Sequence, residues 1–469
     1  MESESKFNWK IYMKFWFFGL VLGMLLLNSV SAELIEKPVE LWNKTAGGSS
    51  GDKGAGVTVD SDDNIIITGV TNNIYSADVK TGDIWTIKYD PDGNVIWNKT
   101  LGGSGREVSI GIVADSNDNI IITGHTDPFS NGGSDIWTIK YDPDGNVIWN
   151  KTVGGSGHDE GYSVSVDSDN NIIVAGFTES FGAENADILV IKYSPKGDMQ
   201  WNKTLGGSGR DEGKGVAVDS NNNIIVIGIT TSFNGGDWNS WMIKYDPNGN
   251  LIWNKVGNNT GMGYGIAIDS NNNIIVTGCT DSFDSEGYAI WTIKYDPDGN
   301  ALWDKKANRN SSDQSYGVAL DSNDNIIVTG KTGPFYSVGY DIWIIKYNPH
   351  GNMSWNKTVG GSGWAMGFGV ALDSNDNIIV TGYKNYFIGP CDKNSCMVGK
   401  NDVWTIKYTT LEVEEEKVEE KVEEGKRDNI EEKLEGKNPT WKTYIIIGMI
   451  ILGLILLFIL FRRWKKAIM

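Results

Sequence analysis

The chain has 469 residues, a formal net charge of −19, three cysteines, three histidines and 19 tryptophans. That acidity excludes nucleic acid and anionic membrane surfaces as partners for the bulk of the chain. Three cysteines exclude a disulfide-built scaffold, and His125, His158 and His350 have no sequence context for a nucleophilic triad.

Residues 1–32 read as a secretory signal. Lys10 and Lys14 precede the apolar run Phe15 to Leu27, and Val30-Ser31-Ala32 forms a small-residue cleavage site. The next element is a lone strand signal over 41–45, containing Trp42. From there a unit of about 52 residues repeats, a period that means a solenoid, propeller or array. Three markers count the copies independently. Outer tryptophans stand at Trp42, Trp97, Trp149, Trp201, Trp253, Trp303 and Trp355; Asp-Ser turns begin at Asp60, Asp115, Asp167, Asp219, Asp269, Asp321 and Asp373; Lys-Tyr pairs end at Tyr89, Tyr141, Tyr193, Tyr245, Tyr295, Tyr347 and Tyr408. Each marker gives seven copies.

Within one unit four short strands are predicted. Val57 to Val59 and Asn64 to Ile67 flank Asp60-Ser61-Asp62-Asp63, whose side chains bond their own backbone and tolerate the left-handed region. Ile84 to Tyr89 and Val95 to Trp97 flank Asp90-Pro91-Asp92-Gly93, where Pro presets φ and Gly takes a positive φ. Runs such as Asn223 to Gly228 are apolar on both faces, as in strands covered on both sides. Four strands per unit, repeated radially, predict an all-β, seven-bladed β-propeller over 38–410. The last copy ends on a third strand, 403–409, with no fourth to follow. Pairing the lone strand 41–45 with it would close the ring and hide two sheet edges.

Between these strands lies the longest loop, Tyr383 to Asp402, which carries Cys391 and Cys396; the two could pair after export, while Cys279 stands alone. Residues 411–440 are dominated by Glu and Lys and predict a solvated stalk or linker, with Val418/Val422 and Ile430/Leu434 as the pairs that a helical stalk would use. Residues 443–461 are long and apolar enough for one transmembrane helix, flanked by Trp441 and Trp464. The short basic tail 462–469, with Arg462, Arg463, Lys465 and Lys466, places the C-terminus in the cytoplasm and the propeller outside the cell.

The stretch Val216-Ala-Val-Asp-Ser-Asn-Asn-Asn-Ile-Ile-Val-Ile-Gly-Ile-Thr-Thr-Ser-Phe233 resembles the SBBP-type β-propeller repeat of prokaryotic extracellular proteins. The resemblance covers residues 41–408 and implies a seven-bladed propeller outside the cell. It carries over no catalytic residues, because the shared pattern is structural. One departure is Leu189, where the other six copies place Trp in the third strand.

The turns are nearly constant between copies, whereas the loops on the opposite face vary, and binding residues concentrate on loops held by a rigid scaffold. Two variable columns stand out. One follows the Gly at the end of the second strand: Val70, His125, Phe177, Ile229, Cys279, Lys331 and Tyr383. The other enters the innermost strand, near the mouth of a central channel: Ala55, Ile110, Tyr162, Lys214, Tyr264, Tyr316 and Phe368. Tyr162, Tyr264, Tyr316, Phe368, His125 and Lys331, beside Asp159, Asp211 and Asp313, form the candidate ligand-binding set. Aromatic platforms beside carboxylates suit a glycan or peptide ligand; the competing reading is that they fill the channel mouth. Eight N-x-S/T sequons, at Asn43, Asn98, Asn150, Asn202, Asn258, Asn310, Asn352 and Asn356, are candidate glycosylation sites.

No catalytic residue, cofactor or metal set is predicted. The turns Asp60-x-Asp-x-Asn and Asp115-x-Asn-x-Asn resemble the start of a Ca²⁺ loop but lack its later Gly and Glu. The expectation is a membrane-anchored, cell-surface binding, adhesion or envelope-structural propeller. The alternative is an extracellular polysaccharide hydrolase or lyase, for which Asp211 and Glu212 would be the paired acids.

Overall fold

Turn chemistry sets the hairpins. In Asp219-Ser-Asn-Asn-Asn223 one carboxylate oxygen of Asp219 accepts the N–H groups of Asn221 and Asn223 at 2.9 Å each, and the other accepts the Asn223 side-chain amide at 2.9 Å. Asn222 takes a φ of 61°, a left-handed conformation that Asn and Asp tolerate. Asp63, Asp118, Asn170, Asn272, Asp324 and Asp376 do the same in the other copies. The second turn needs glycine outright: Gly249 has a φ of +78°, and a Cβ there would sit 3.0 Å from the Trp201 ring of the preceding repeat.

The computed structural model describes residues 34–48, 50–75, 80–103, 105–127, 133–182, 185–233, 236–257, 261–281, 287–309, 312–333, 339–361, 363–385 and 400–414. The expected signal, stalk, transmembrane segment and tail, together with Cys391, Cys396, Asn258 and Asn310, lie outside them. Among the described residues no helix is long and apolar enough to cross a membrane.

The described strands run as follows. β1 (Leu34–Ala46) stands first, then β2 (Gly51–Val59), β3 (Ile65–Tyr75), β4 (Lys80–Tyr89) and β5 (Val95–Leu101). Next are β6 (Arg106–Ala114), β7 (Ile120–Asp127), β8 (Asp135–Tyr141) and β9 (Val147–Val153), followed by β10 (Asp159–Val166), β11 (Ile172–Thr178), β12 (Asp187–Tyr193) and β13 (Met199–Leu205). The fourth and fifth sets are β14 (Asp211–Val218), β15 (Ile224–Thr230), β16 (Asn239–Tyr245), β17 (Leu251–Val256), and β18 (Gly261–Ile268), β19 (Ile274–Asp281), β20 (Tyr288–Tyr295), β21 (Ala301–Ala307). Last come β22 (Gln314–Leu320), β23 (Ile326–Thr332), β24 (Asp341–Tyr347), β25 (Met353–Val359), and β26 (Ala365–Leu372), β27 (Ile378–Lys384), β28 (Asp402–Glu414).

These strands form six sheets, five of four strands and one of eight. The repeat count predicts seven. The difference lies in the eight-stranded sheet, where β2–β5 and β6–β9 are two antiparallel groups joined by a parallel bridge between Gly82 and Arg106. β1 does not start a sheet of its own. It lies beside β28 in the order β1-β28-β27-β26, and the Trp404 indole N–H donates to the Asn43 amide oxygen across that pair at 3.5 Å.

Apolar area between neighbouring sheets forms the core. Ile173, Ala175, Ile188 and Val190 of β11 and β12 pack on Val216, Val226, Trp241 and Ile243 of the next sheet, all buried. Val57, Ile65 and Ile87 of the first repeat pack in the same way on Ile379 and Val403 of the last. Ordered burial of this kind, at about 25 cal/mol per Å² of apolar surface, is the main stabilising term.

Polar links also recur from sheet to sheet. A buried lysine of each third strand pairs with the Asp-Ser turn of its own repeat: Lys88–Asp60 at 2.8 Å, Lys140–Asp115 at 2.7 Å, Lys192–Asp167 at 2.8 Å, Lys244–Asp219 at 2.9 Å, Lys294–Asp269 at 2.7 Å, Lys346–Asp321 at 3.0 Å and Lys407–Asp373 at 2.8 Å. Most of these lysines also reach the next repeat. Lys88 Nζ and Trp97 Nε1 both donate to the Pro143 carbonyl, at 3.2 and 3.1 Å, and Lys407 and Trp42 both donate to Pro91, at 3.1 and 3.0 Å. Lys346 instead takes Glu36 of β1 at 3.0 Å, because β28 is followed by no Asp-Pro turn. A third series joins the turns. The backbone N–H groups of Ser61, Ser116, Ser168, Ser220, Ser270 and Ser322 each donate to the left-handed Asp or Asn of the following repeat, and Ser374 donates to Asp63 at 2.8 Å.

Candidate functional site

Every repeat bulges its first strand at the same place. The register slips between Gly54 and Gly56, Ser109 and Gly111, Gly161 and Ser163, Gly213 and Gly215, Gly263 and Gly265, Ser315 and Gly317, and Gly367 and Gly369. The extra residues are Ala55, Ile110, Tyr162, Lys214, Tyr264, Tyr316 and Phe368, the same column that varies between copies. A bulge leaves its extra residue out of the ladder and re-aims the side chain. Here all seven line one cavity of about 480 Å³ where the first strands converge. Glycine permits that convergence. A Cβ on Gly265 would lie 2.8 Å from the Tyr316 carbonyl, and one on Gly317 would lie 2.7 Å from that of Phe368.

One side of the cavity is aromatic. Tyr264 and Tyr316 have ring centroids 5.7 Å apart, Tyr316 and Phe368 5.1 Å, and Phe368 and Tyr383 5.9 Å. These are ordinary spacings for interacting rings. Burial pushes the Tyr264 and Tyr316 phenols well above the usual range and Tyr383 to about 12, so all three remain neutral donors. Tyr316 donates to Gln314 Oε1 at 2.8 Å.

Cations lie against the rings. Lys214 Nζ sits over the Tyr162 ring, 3.6 Å from its centroid, and pairs with Glu212. Burial holds Lys214 below the usual lysine range despite that carboxylate, and Glu212 in turn is held low against burial by Lys214 and Arg210. Arg210 also reaches Glu179 at 3.2 Å and covers the Phe177 ring at 4.9 Å. Lys53 Nζ lies over Tyr383 at 5.2 Å.

The expected site residues divide. Tyr162, Tyr264, Tyr316 and Phe368 come together around the cavity. His125 is buried behind it, with Nε2 3.2 Å from Arg106 and Nδ1 3.8 Å from Glu160; burial lowers its pKa against the pull of Glu160. Lys331 stands apart, its ammonium 4.4 Å from the Tyr340 ring. Asp159, Asp211 and Asp313 are fully buried and do not line the cavity. Asp159 accepts the Gly155 N–H at 3.0 Å and the Ser180 hydroxyl at 2.6 Å; Asp211 accepts the Gly207 N–H at 2.8 Å and the Ser232 hydroxyl at 2.6 Å; Asp313 accepts the Arg309 N–H at 2.7 Å. They anchor loops.

Two charged lining residues escaped the sequence reading. Lys53 stands two positions before the bulge, in a column otherwise filled by Val108, Glu160, Glu212, Met262, Gln314 and Met366, and Arg106 opens β6. The Lys53 column could have been counted like the others.

Of the remaining candidates, the sequon residues Asn43, Asn98, Asn150, Asn202, Asn352 and Asn356 are all exposed. All but Asn352 lie on the outermost strands. The Asp60 and Asp115 carboxylates of the candidate Ca²⁺ turns are held by Asn64 and Lys88, and by Asn119 and Lys140. Cys279 is buried.

No protein-family model matches the chain. Over 211 residues, 40% of its length, the chain is 28% identical to an uncharacterized WD repeat-containing protein of Acanthamoeba polyphaga mimivirus. Over 236 residues, 43% of its length, it is 26% identical to the regulatory protein FlaEY of Caulobacter vibrioides. The chain spans 13% and 24% of the lengths of these relatives. Among solved structures it is similar to a streptogramin B lyase (TM-score 0.48, 11% identity, 81% of this chain and 100% of that one) and to the Pan2 WD40 domain of Neurospora crassa (TM-score 0.47, 9% identity, 80% and 96%). Four-stranded antiparallel sheets, repeated so that bulged inner strands meet around one cavity, make this chain a β-propeller repeat protein.

Proposed function

We propose that the chain is a membrane-anchored, cell-surface binding protein: a closed propeller of seven blades that captures a small ligand at the mouth of its central cavity. Reading the eight-stranded sheet as two blades bridged at Gly82 and Arg106 gives seven, and the links from Ser374 to Asp63 and from Lys407 to Pro91 support closure. The anchor and the outward orientation rest on the sequence of residues 1–32 and 443–469 alone.

The observation that carries the binding reading is the bulge column. Seven structurally equivalent side chains are aimed at one cavity, and theirs is one of the two columns whose identity changes from copy to copy. Packing alone would favour repetition there, as it does in five of seven copies at the buried Thr68, Thr123, Thr277, Thr329 and Thr381 of the second strands, with Ala175 and Ile227 in the other two. Binding is favoured over hydrolysis because no carboxylate lines the cavity among the described residues, whereas glycoside hydrolysis needs a pair of them flanking the bond.

The test is a glycan and peptide array probed with the full-length chain in nanodiscs, followed by titration of any hit against Tyr316→Ala. The expected loss is about tenfold or more in affinity, from removal of a stacking face, in a variant that still melts cooperatively. Undiminished binding by the variant would overturn the cavity as the site. The sequons on the outermost strands belong to the same cell-surface reading. Mass spectrometry of natively expressed protein is expected to find oligosaccharide on one or more of Asn43, Asn98, Asn150, Asn202 and Asn356; finding all of them bare would count against export through a glycosylating pathway.

A further inference from the structure

The charge of the cavity opposes that of the chain. The protein carries −19 overall, yet the charged side chains lining the cavity, among the described residues, are Lys53, Arg106 and Lys214, all cationic. Lys214 is neutralised from behind by Glu212. Lys53 is not: among the described residues no carboxylate lies within ion-pair reach of its ammonium, which rests instead over the Tyr383 ring at 5.2 Å. Burial, and then the neighbouring Arg106 guanidinium, push Lys53 below the usual lysine range. Lys53 and Arg106 both line the cavity, so an oxyanion held there would find two cationic donors and a counter-charge for Lys53.

Beside Lys53 runs the arc Tyr264, Tyr316 and Phe368, continued by the Tyr383 ring on which the Lys53 ammonium rests. Its faces suit the C–H side of a saccharide ring. A cavity of about 480 Å³ is within the range that holds a small ligand but not a folded partner. Resting on the binding reading above, we propose that the ligand is an acidic sugar, a hexuronate at the end of a glycan, with its carboxylate at Lys53 and Arg106 and its ring against the Tyr264–Tyr316–Phe368 arc. A ligand presenting an ammonium group finds no lining carboxylate to receive it.

The experiment is calorimetric titration of the full-length chain in nanodiscs with a glucuronate-terminated disaccharide, its neutral glucose-terminated counterpart and N-acetylphenylalanine. The uronate is expected to bind about tenfold or more tighter than the neutral sugar, from a charge-assisted hydrogen bond, with a preference that shrinks as salt rises. Lys53→Met should bring the two sugars to near-equal affinity, Lys53→Arg should keep the preference, and Tyr316→Ala should weaken both. Equal affinities in the wild type, or a preference untouched by Lys53→Met in a variant with wild-type melting, would overturn the acidic-sugar assignment. In that case a loss with Tyr316→Ala would leave the binding reading standing. Binding of N-acetylphenylalanine with neither sugar bound would replace the sugar by a peptide-type carboxylate. Binding of none of the three would overturn both readings.

Discussion

Each repeat has two ends built on opposite rules. At the turn end, charge is locked into the fold. Asp167 takes Lys192, Asn171 and two backbone N–H groups, the next repeat does the same with Asp219, and no copy departs from the plan. At the cavity end the backbone is just as regular, with a bulge in every copy, but the side chains it presents range from Ala55 to Tyr316 to Lys214. The contrast separates what a repeat needs in order to stack from what it is free to offer a ligand. Identical side chains mark the former, and an invariant backbone irregularity with changing side chains marks the latter.

The largest effect should appear when all the turn ends are attacked together. Burial alone would raise the carboxyl groups of Asp60, Asp115, Asp167, Asp219, Asp269, Asp321 and Asp373, but their lysine and asparagine partners outweigh it and hold each one below the ordinary aspartate range. With folded values below the unfolded value of about 3.9, this contribution is fully present above about pH 4 and is lost as pH falls through the lower folded values. Melting curves from pH 7 to pH 2 should therefore hold nearly level and then drop steeply on the acid side. A steady decline beginning near pH 6 would mean that the turn ends are not what titrates.

A single copy should show the same asymmetry more gently. Asp219→Ala leaves the buried Lys244 without its 2.9 Å partner, and stranding a buried charge costs about 3–5 kcal/mol in denaturant unfolding. Tyr316→Ala at the cavity end should cost clearly less, because its side chain is only half-buried. Equal costs would erase the distinction between the two ends. The smallest effect concerns the links between repeats. Trp97→Phe keeps the apolar ring and removes the donor to the Pro143 carbonyl, for an expected loss of about 0.5–1.5 kcal/mol. A loss of several kcal/mol would show that these links, rather than the Lys–Asp pairs, dominate the turn end.

Much of this was legible in the sequence because it is local. Four strands per repeat, the Asx-type turn at Asp219 and the glycine turn at Gly249 follow from adjacent residues. The cavity column was also legible, as a position that changes while its neighbours stay glycine or serine. What failed depended on strand parity and on approach in space. Asp211 and Glu212 look like one acidic pair, but neighbours on a strand point to opposite sides; Asp211 turns to Gly207 and Ser232 while Glu212 turns to Lys214. The meeting of Lys53 and Arg106 at one cavity joins residues of different repeats through two converging strands. The merged sheet has a similar origin: the parallel bridge between Gly82 and Arg106 joins neighbouring repeats, as do the isolated bridges Tyr288–Ser312 and Tyr340–Trp364.

The place of β1 beside β28 has a consequence for the order of biosynthesis. In every other sheet the outermost strand pairs with the strand just before it in the chain, so it can dock as soon as it is made. β1 is synthesised first, yet its neighbour in the same sheet lies far downstream; Asn43 and Trp404 are 361 residues apart. At about 5–20 residues per second the first strand waits on the order of 20 to 70 seconds for its partner. Through that interval Trp42 has no strand beside it, and the nascent protein carries an open sheet edge. The last strand to be made therefore decides when the first becomes part of the fold.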